Sequence, residues 1–120
     1  MSLYEVAHYL DEAGRSPFRR WVQLLNRDAS AKVMGSLYRL AAGNFSSVKP
    51  VGKGVLELRI HFGPGYRVYF GRDGERLIVL LGGGSKQRQS KDIELALHAW
   101  REYRARKTAG PTPASEDPWP

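Results

Sequence analysis

The sequence predicts an α+β domain, an antiparallel sheet with helices on one side, and three observations predict it. Apolar and polar residues alternate through 55–62 and 66–70, the period-two pattern of half-buried strands. Leu77 to Leu81 is apolar at every position, as expected of a central strand buried on both faces. Apolar residues recur at helical spacing in two stretches before these strands and one after them. The resulting order is strand, two helices, three strands, helix, which is the layering of an α+β domain.

Each element has its own justification. Residues 3–10 are rich in β-branched and aromatic types and read as the first strand. Asp11 to Arg15 is a turn. Ser16-Pro17 then starts a helix, because Ser caps orphan amides and Pro at the first helical position has no N–H to leave unpaired. Phe18, Trp21, Val22 and Leu25 form its apolar stripe. Asn26 to Ser30 interrupts the pattern. A second helix presents Val33, Leu37, Leu40 and Ala41 on one face and stops at Gly43. Asn44 to Gly54 reads as a loop, broken by Pro50, Gly52 and Gly54. In the first alternating strand Leu56, Leu58, Ile60 and Phe62 face one way and Val55, Glu57, Arg59 and His61 the other. Gly63-Pro64-Gly65 is a tight turn into the second strand, where Arg67 and Tyr69 oppose Tyr66, Val68 and Phe70. Asp73-Gly74 is a hairpin turn signal. After the buried strand, Gly82-Gly83-Gly84-Ser85 links to a last helix capped by Ser90, with Asp92 and Glu94 in its first turn.

The 120 residues, 42% of them hydrophobic, are enough for one core and one domain. Residues 1–107 are expected to form it, with 108–120 a disordered tail marked by Pro111, Pro113, Pro118 and Pro120. The chain has no cysteine, which excludes disulfides and thiolate chemistry and fits a reducing cytoplasm. Leu77–Leu81 is the longest apolar run, far below the roughly 20 residues that span a bilayer. The first residues carry no signal-peptide pattern, so a cytoplasmic protein without membrane association is expected.

Charge narrows the function. Nineteen Lys and Arg against twelve Asp and Glu give a net charge of +7, and thirteen of the nineteen are Arg. Guanidinium grips phosphate oxygens in pairs, so the surplus points to a polyanionic partner as readily as to a solvated basic surface. Residues 49–91 hold nine basic groups and three acids, which is +6 of the total.

Within that segment Arg59 and His61 point the same way, and Arg67 and Tyr69 answer them on the returning strand. Cross-strand neighbours approach within about 5 Å if the register has the right parity. Two arginines and a histidine with only Glu57 as counter-ion suit a phosphate site better than an ordinary wet sheet face. The following segment Gly82–Lys91 adds Lys86, Arg88 and Lys91 beside glycines that let amides approach an anion. Lys49 and Lys53 flank the hairpin, and Tyr69 is placed to stack on a base, although strand tyrosines also pack on neighbours.

Other chemistries fail on inventory. His8, His61 and His98 are far apart and no metal-ligand spacing occurs, so no metal site or cofactor is expected. Neither a G-x-S-x-G nor a Walker A pattern is present. His8 reads as a strand surface residue and His98 as a helix surface residue, while Trp21 and Trp100 read as core.

The run LELRIHFGPGYRVYFGRDGERLIVLLGGGSKQRQSKDI resembles the core of the RelE/ParE superfamily of toxins from bacterial toxin–antitoxin modules, in particular the HigB-like branch of addiction module killer proteins. The resemblance extends upstream through GRSPFRRWVQLL and GNFSSVKPVGKGV and covers residues 3–105. It implies a RelE-like β-α-α-β-β-β-α fold. It further implies metal-independent cleavage of mRNA on the ribosome, and neutralisation by a co-encoded helix-turn-helix antitoxin in a hetero-oligomeric complex. By position, Arg59, Arg67 and Lys86 match basic residues of the family's site and His61 lies close to another. Relatives of the RelE type carry a tyrosine shortly after the basic segment for proton transfer. Here that stretch reads Lys91-Asp92-Ile93, so His61 or Tyr69 must take the role.

The expected catalytic set is therefore Arg59, His61, Arg67 and Lys86, with Lys49, Lys53, Tyr69, Arg88 and Lys91 binding RNA. Two alternatives stand beside it: a ParE-like inhibitor that binds DNA gyrase without cutting RNA, and a nucleic-acid-binding module without catalysis.

Overall fold

The computed structural model describes residues 3–116. Its elements are β1 (Glu5–Tyr9), α1 (Pro17–Gln23), α2 (Arg27–Ala41), β2 (Val48–Gly52), β3 (Val55–Ile60), β4 (Tyr66–Asp73), β5 (Leu77–Ser85), α3 (Gln89–Ala109) and β6 (Ala114–Ser115), with a single 3₁₀ turn at Lys86–Arg88. The six strands form one sheet in the order β2-β3-β4-β5-β1-β6.

The α+β class holds, but the sheet is mixed and its helices cover both faces. The all-apolar β5 needs a partner on each edge, and it has antiparallel β4 on one and parallel β1 on the other. On one face α1 and α2 bury Phe18, Val22, Val33, Leu37 and Leu40 against Leu58, Ile60, Val68, Phe70, Ile78 and Leu80. On the other, Ala96, Ala99, Trp100 and Tyr103 of α3 pack on Val55, Tyr69, Val79 and Leu81. The second face is the one the sequence pattern marks as polar. Val55 and Tyr69 interleave there with Glu57 and Arg67, and together they give α3 an apolar seat.

Two helix starts agree with their caps: Ser16 Oγ accepts from the Arg19 amide at 3.1 Å, and Asn26 Oδ1 accepts from the Ala29 amide at 2.9 Å. Ser90 is not a cap. The 3₁₀ turn after β5 brings α3 in at Gln89, one residue before it. The expected loop before β3 contains β2, which tolerates Pro50 because it is an edge strand and one side needs no amide. The connection from β2 to β3 turns through positive φ at Gly52, Lys53 and Gly54, with Lys53 the sole non-glycine of that kind among the described residues.

Where it is described, the stretch from Thr108 carries secondary structure. Helix α3 runs to Ala109, and Ala114–Ser115 pairs with β1 as Leu10 donates its N–H to the Pro113 carbonyl at 2.9 Å. The prolines do not prevent this, because a two-residue edge strand asks for few amides. Residues 117–120 of the expected tail lie outside the described residues. His8 is buried in β1 rather than exposed.

The triglycine belongs to β5 instead of forming a link. A Cβ on Gly83 would collide with the Trp21 ring, and one on Gly84 with the Asp92 carboxylate. Gly83 and Gly84 are there for close packing of α1 and α3 onto the strand. At the far end α3 is tied down by polar contacts. Tyr103 Oη donates to Asp73 Oδ2 at 2.7 Å, and Lys107 Nζ donates to the same carboxylate at 2.6 Å. Tyr9 Oη and Arg106 Nη1 donate to Glu102 Oε1 at 2.6 and 3.1 Å.

Two outcomes follow. Gly83→Ala is expected to destabilise the fold by about 1–3 kcal/mol through overpacking, whereas Gly110→Ala, with open space around it and an extended backbone, should leave the denaturant midpoint unchanged. The hydrogen bonds from Lys107 and Tyr103 hold the Asp73 carboxyl below the usual carboxylate range. Its stabilising contribution is therefore complete above that range and lost as the pH falls through it. The thermal midpoint of the wild type should drop more between pH 6 and pH 3 than that of Asp73→Asn; parallel curves would show that Asp73 contributes nothing.

Candidate nucleic-acid interface

The β3–β4 hairpin sets the site. Its register places Arg59 directly opposite Arg67 and Glu57 directly opposite Tyr69. Like charges opposite one another on a sheet repel, and the structure answers with Glu57. This carboxylate is 0% exposed. Its Oε1 lies 3.6 Å from Arg59 Nε and its Oε2 3.5 Å from Arg67 Nε, while Gln89 Nε2 of α3 donates to Oε2 at 2.9 Å. Both arginines thus turn their Nε edge toward one buried anion. A guanidinium carries five N–H donors, so this arrangement leaves the Nη groups of each for a second anion. Arg67 is 8% exposed, while Arg59 is open to solvent.

Lys86 reaches the same place through the backbone. Its amide donates to the Gly65 carbonyl at 3.1 Å, which ties the end of β5 to the hairpin tip. A cleft of about 490 Å³ opens there, lined by Arg59, His61, Arg67 and Lys86 together with Gly63–Tyr66. All four residues expected to do the chemistry are brought together. Glu57 is the one counter-ion, as the sequence pattern implies, so a single carboxylate faces the cations and the cleft keeps a positive surplus.

The other expected contacts divide. Arg88 and Lys91 line, with Lys86, a separate depression that shares only Lys86 with the cleft. Lys49 pairs across from Glu57 on the exposed edge strand, two residue pairs away from Arg59. Lys53 is at the β2–β3 turn, the opposite end of the hairpin from His61, and does not join the cleft. Tyr69 cannot stack on a base. It is 1% exposed beneath α3, and burial with Glu57 beside it pushes its hydroxyl pKa well up. This also removes it from proton transfer and leaves His61 as the exposed imidazole of the cleft.

Glu57 and Gln89 are the residues that sequence reasoning missed as the hub. For Glu57 a signal exists: an acid two residues before Arg59, on the strand face that also carries Val55. Nothing in the sequence singles out Gln89. Among the described residues no three of His, Asp and Glu gather as metal ligands, and no helix is long and apolar enough to cross a membrane.

Comparison with known proteins now adds to this geometry. Residues 20–103 match the model of a family described as phage derived protein Gp49-like (DUF891). An uncharacterized protein of Haemophilus influenzae is 45% identical over 80 residues, which cover 66% of this chain and 81% of that protein. The chain belongs to the phage-derived Gp49-like family, and that membership supports the toxin of a toxin–antitoxin module as its kind.

Proposed function

We propose that this protein is a HigB-like type II toxin of the RelE/ParE superfamily that cleaves mRNA on the translating ribosome, in the cytoplasm, without a metal ion. The observation that carries the reading is the convergence of Arg59, His61, Arg67 and Lys86 on one cleft at the hairpin tip. A cationic lining attracts a phosphodiester and repels a divalent cation. The RNA's 2′-hydroxyl attacks the adjacent phosphorus and the 5′-oxygen departs, giving a 2′,3′-cyclic phosphate and a 5′-hydroxyl. His61 accepts the proton of the attacking hydroxyl, and solvent water protonates the leaving oxygen. Arg59, Arg67 and Lys86 stabilise the charge that builds on the non-bridging oxygens. A co-encoded helix-turn-helix antitoxin, bound in a hetero-oligomer, keeps the activity in check.

A second reading is favoured by a different surface. Leu24 and Leu95 are exposed and border, with Trp21, a cleft of about 390 Å³ between α1 and α3. Such a surface suits a toxin that poisons DNA gyrase by protein contact. Induction followed by mapping of RNA 5′-hydroxyl ends decides between the two. The nuclease reading expects cuts within translated codons; DNA breaks and filamentation with intact mRNA would overturn it.

The roles inside the cleft are separable. Lys86→Ala is expected to lower the cleavage rate on ribosome-bound mRNA about 10²-fold, as for a lost oxyanion donor, with an unchanged thermal midpoint because Lys86 is exposed. Glu57→Gln removes the counter-charge between two opposed arginines and should destabilise the fold by about 3 kcal/mol. Wild-type rates in Lys86→Ala would take this residue out of the mechanism, and wild-type stability in Glu57→Gln would remove the buried pair from the account.

A further inference from the structure

A second cleft, of about 260 Å³, lies on the other side of the hairpin tip and shares Arg59, Ile60, His61 and Phe62 with the first. The β2–β3 ladder ends at Val48 opposite Leu58, beyond which the Arg59 amide donates to the Ser47 carbonyl at 3.0 Å and Ser47 joins the lining of the cleft. Its far wall is α2, where Lys32, Ser36 and Arg39 follow at i, i+4 and i+7 and therefore stand on one helix face. Lys32 Nζ sits 5.5 Å from the centroid of the Phe62 ring, and Arg39 Nη2 donates to Ser36 Oγ at 3.2 Å. Both side chains are exposed, and among the described residues neither is within ion-pair distance of a carboxylate.

The ridge of Arg59 and His61 is thus flanked by cations on both sides: Arg67 and Lys86 in one cleft, Lys32 and Arg39 in the other. A site for a lone phosphate needs one of these clefts. Two basic clefts joined along a shared wall fit a backbone that passes over the ridge and carries further phosphates beyond it, the electrostatic track of a single-stranded nucleic acid. We infer that Lys32 and Arg39 of α2, which carry no expectation from the sequence, bind the phosphates of the RNA strand that flank the scissile one, so that the strand runs from the Lys86 side across His61 to α2. The inference rests on the nuclease reading for the identity of the strand. It assigns Lys32 and Arg39 to binding, with no part in the bond-breaking step.

The test is equilibrium binding of a fluorescent single-stranded 2′-O-methyl RNA, which has no free 2′-hydroxyl to attack, measured by anisotropy over a range of salt concentrations. The variants are Lys32→Ala/Arg39→Ala and, as a control for charge loss elsewhere, Arg101→Ala on the exposed side of α3. The double variant is expected to bind several-fold more weakly than wild type. The slope of log affinity against log salt should be shallower by about 0.7 for each cation removed from a single-strand contact. Arg101→Ala should leave that slope unchanged, and the thermal midpoints of all three proteins should agree. If wild type binds and the double variant binds equally well with the same slope, the α2 track is wrong while the nuclease reading stands. Wild type that fails to bind the RNA at low salt overturns the track, while the ribosome-dependent nuclease reading is decided by the mapping of 5′-hydroxyl ends. If RNA binding is intact and the double variant instead loses an acidic protein partner, the cleft is a protein contact and the inference is overturned.

Discussion

The carboxylate of Glu57, enclosed between two guanidiniums that the sheet register sets face to face, is the interaction on which the rest of the molecule's chemistry depends. Without it, Arg59 and Arg67 are like charges on opposed positions, and Arg67 is a nearly buried cation with no compensation. With it, each guanidinium is oriented by its Nε edge. Breaking a buried pair by removing one partner is far more damaging than its net contribution suggests, because the survivor keeps its desolvation cost. The third contact, from Gln89, makes the site conditional on the docking of α3. The helix that closes the core also fixes the counter-ion of the cleft.

That link explains a division of labour across the sheet. Strand β5 carries glycine where Trp21 of α1 and Asp92 of α3 press on it. Close packing there brings the start of α3, and the 3₁₀ turn before it, up against the hairpin tip. A backbone bond from the Lys86 amide to the Gly65 carbonyl then sets Lys86 at the rim of the cleft, with its side chain left for an incoming anion. The polar anchors at Asp73 and Glu102 hold the far end of the same helix. The cationic cluster is held by the fold on three sides: the β3–β4 register, the Gly65–Lys86 bond and the seat of α3.

Much of this was legible in the sequence, for a physical reason in each case. The alternation in 55–62 and 66–70 gave the hairpin and its parity, and the parity alone put Arg59 and Arg67 on one face. Ser16-Pro17 gave a helix start because capping chemistry is local. What stayed hidden depends on tertiary partners. Val55, Glu57 and Tyr69 read as one polar-faced strand pair because a sequence does not say that α3 will cover them, and Tyr69 was assigned to RNA for that reason. The triglycine reads as a link between strand and helix, since glycine chosen for close packing and glycine chosen for flexibility look the same on paper. Strands β2 and β6 were missed because edge strands tolerate the prolines that elsewhere signal loops. Lys32 and Arg39 gave no signal, as charges on an exposed helix face usually mean only solvation.

The arrangement has one consequence for how a phosphate is held. Glu57 faces the Nε edges at ion-pair distances of 3.6 and 3.5 Å, so an incoming anion meets the Nη groups from the cleft side and both anions share the same guanidiniums. The most direct measurement is a structure of the protein bound to a 2′-O-methyl RNA trinucleotide. The account predicts a phosphate in the hairpin-tip cleft, within hydrogen-bond reach of the Nη groups of Arg59 and Arg67 and of Lys86 Nζ, with Glu57 still on their Nε edges. RNA seated away from the hairpin tip, with both guanidiniums bound to Glu57 alone, would contradict it.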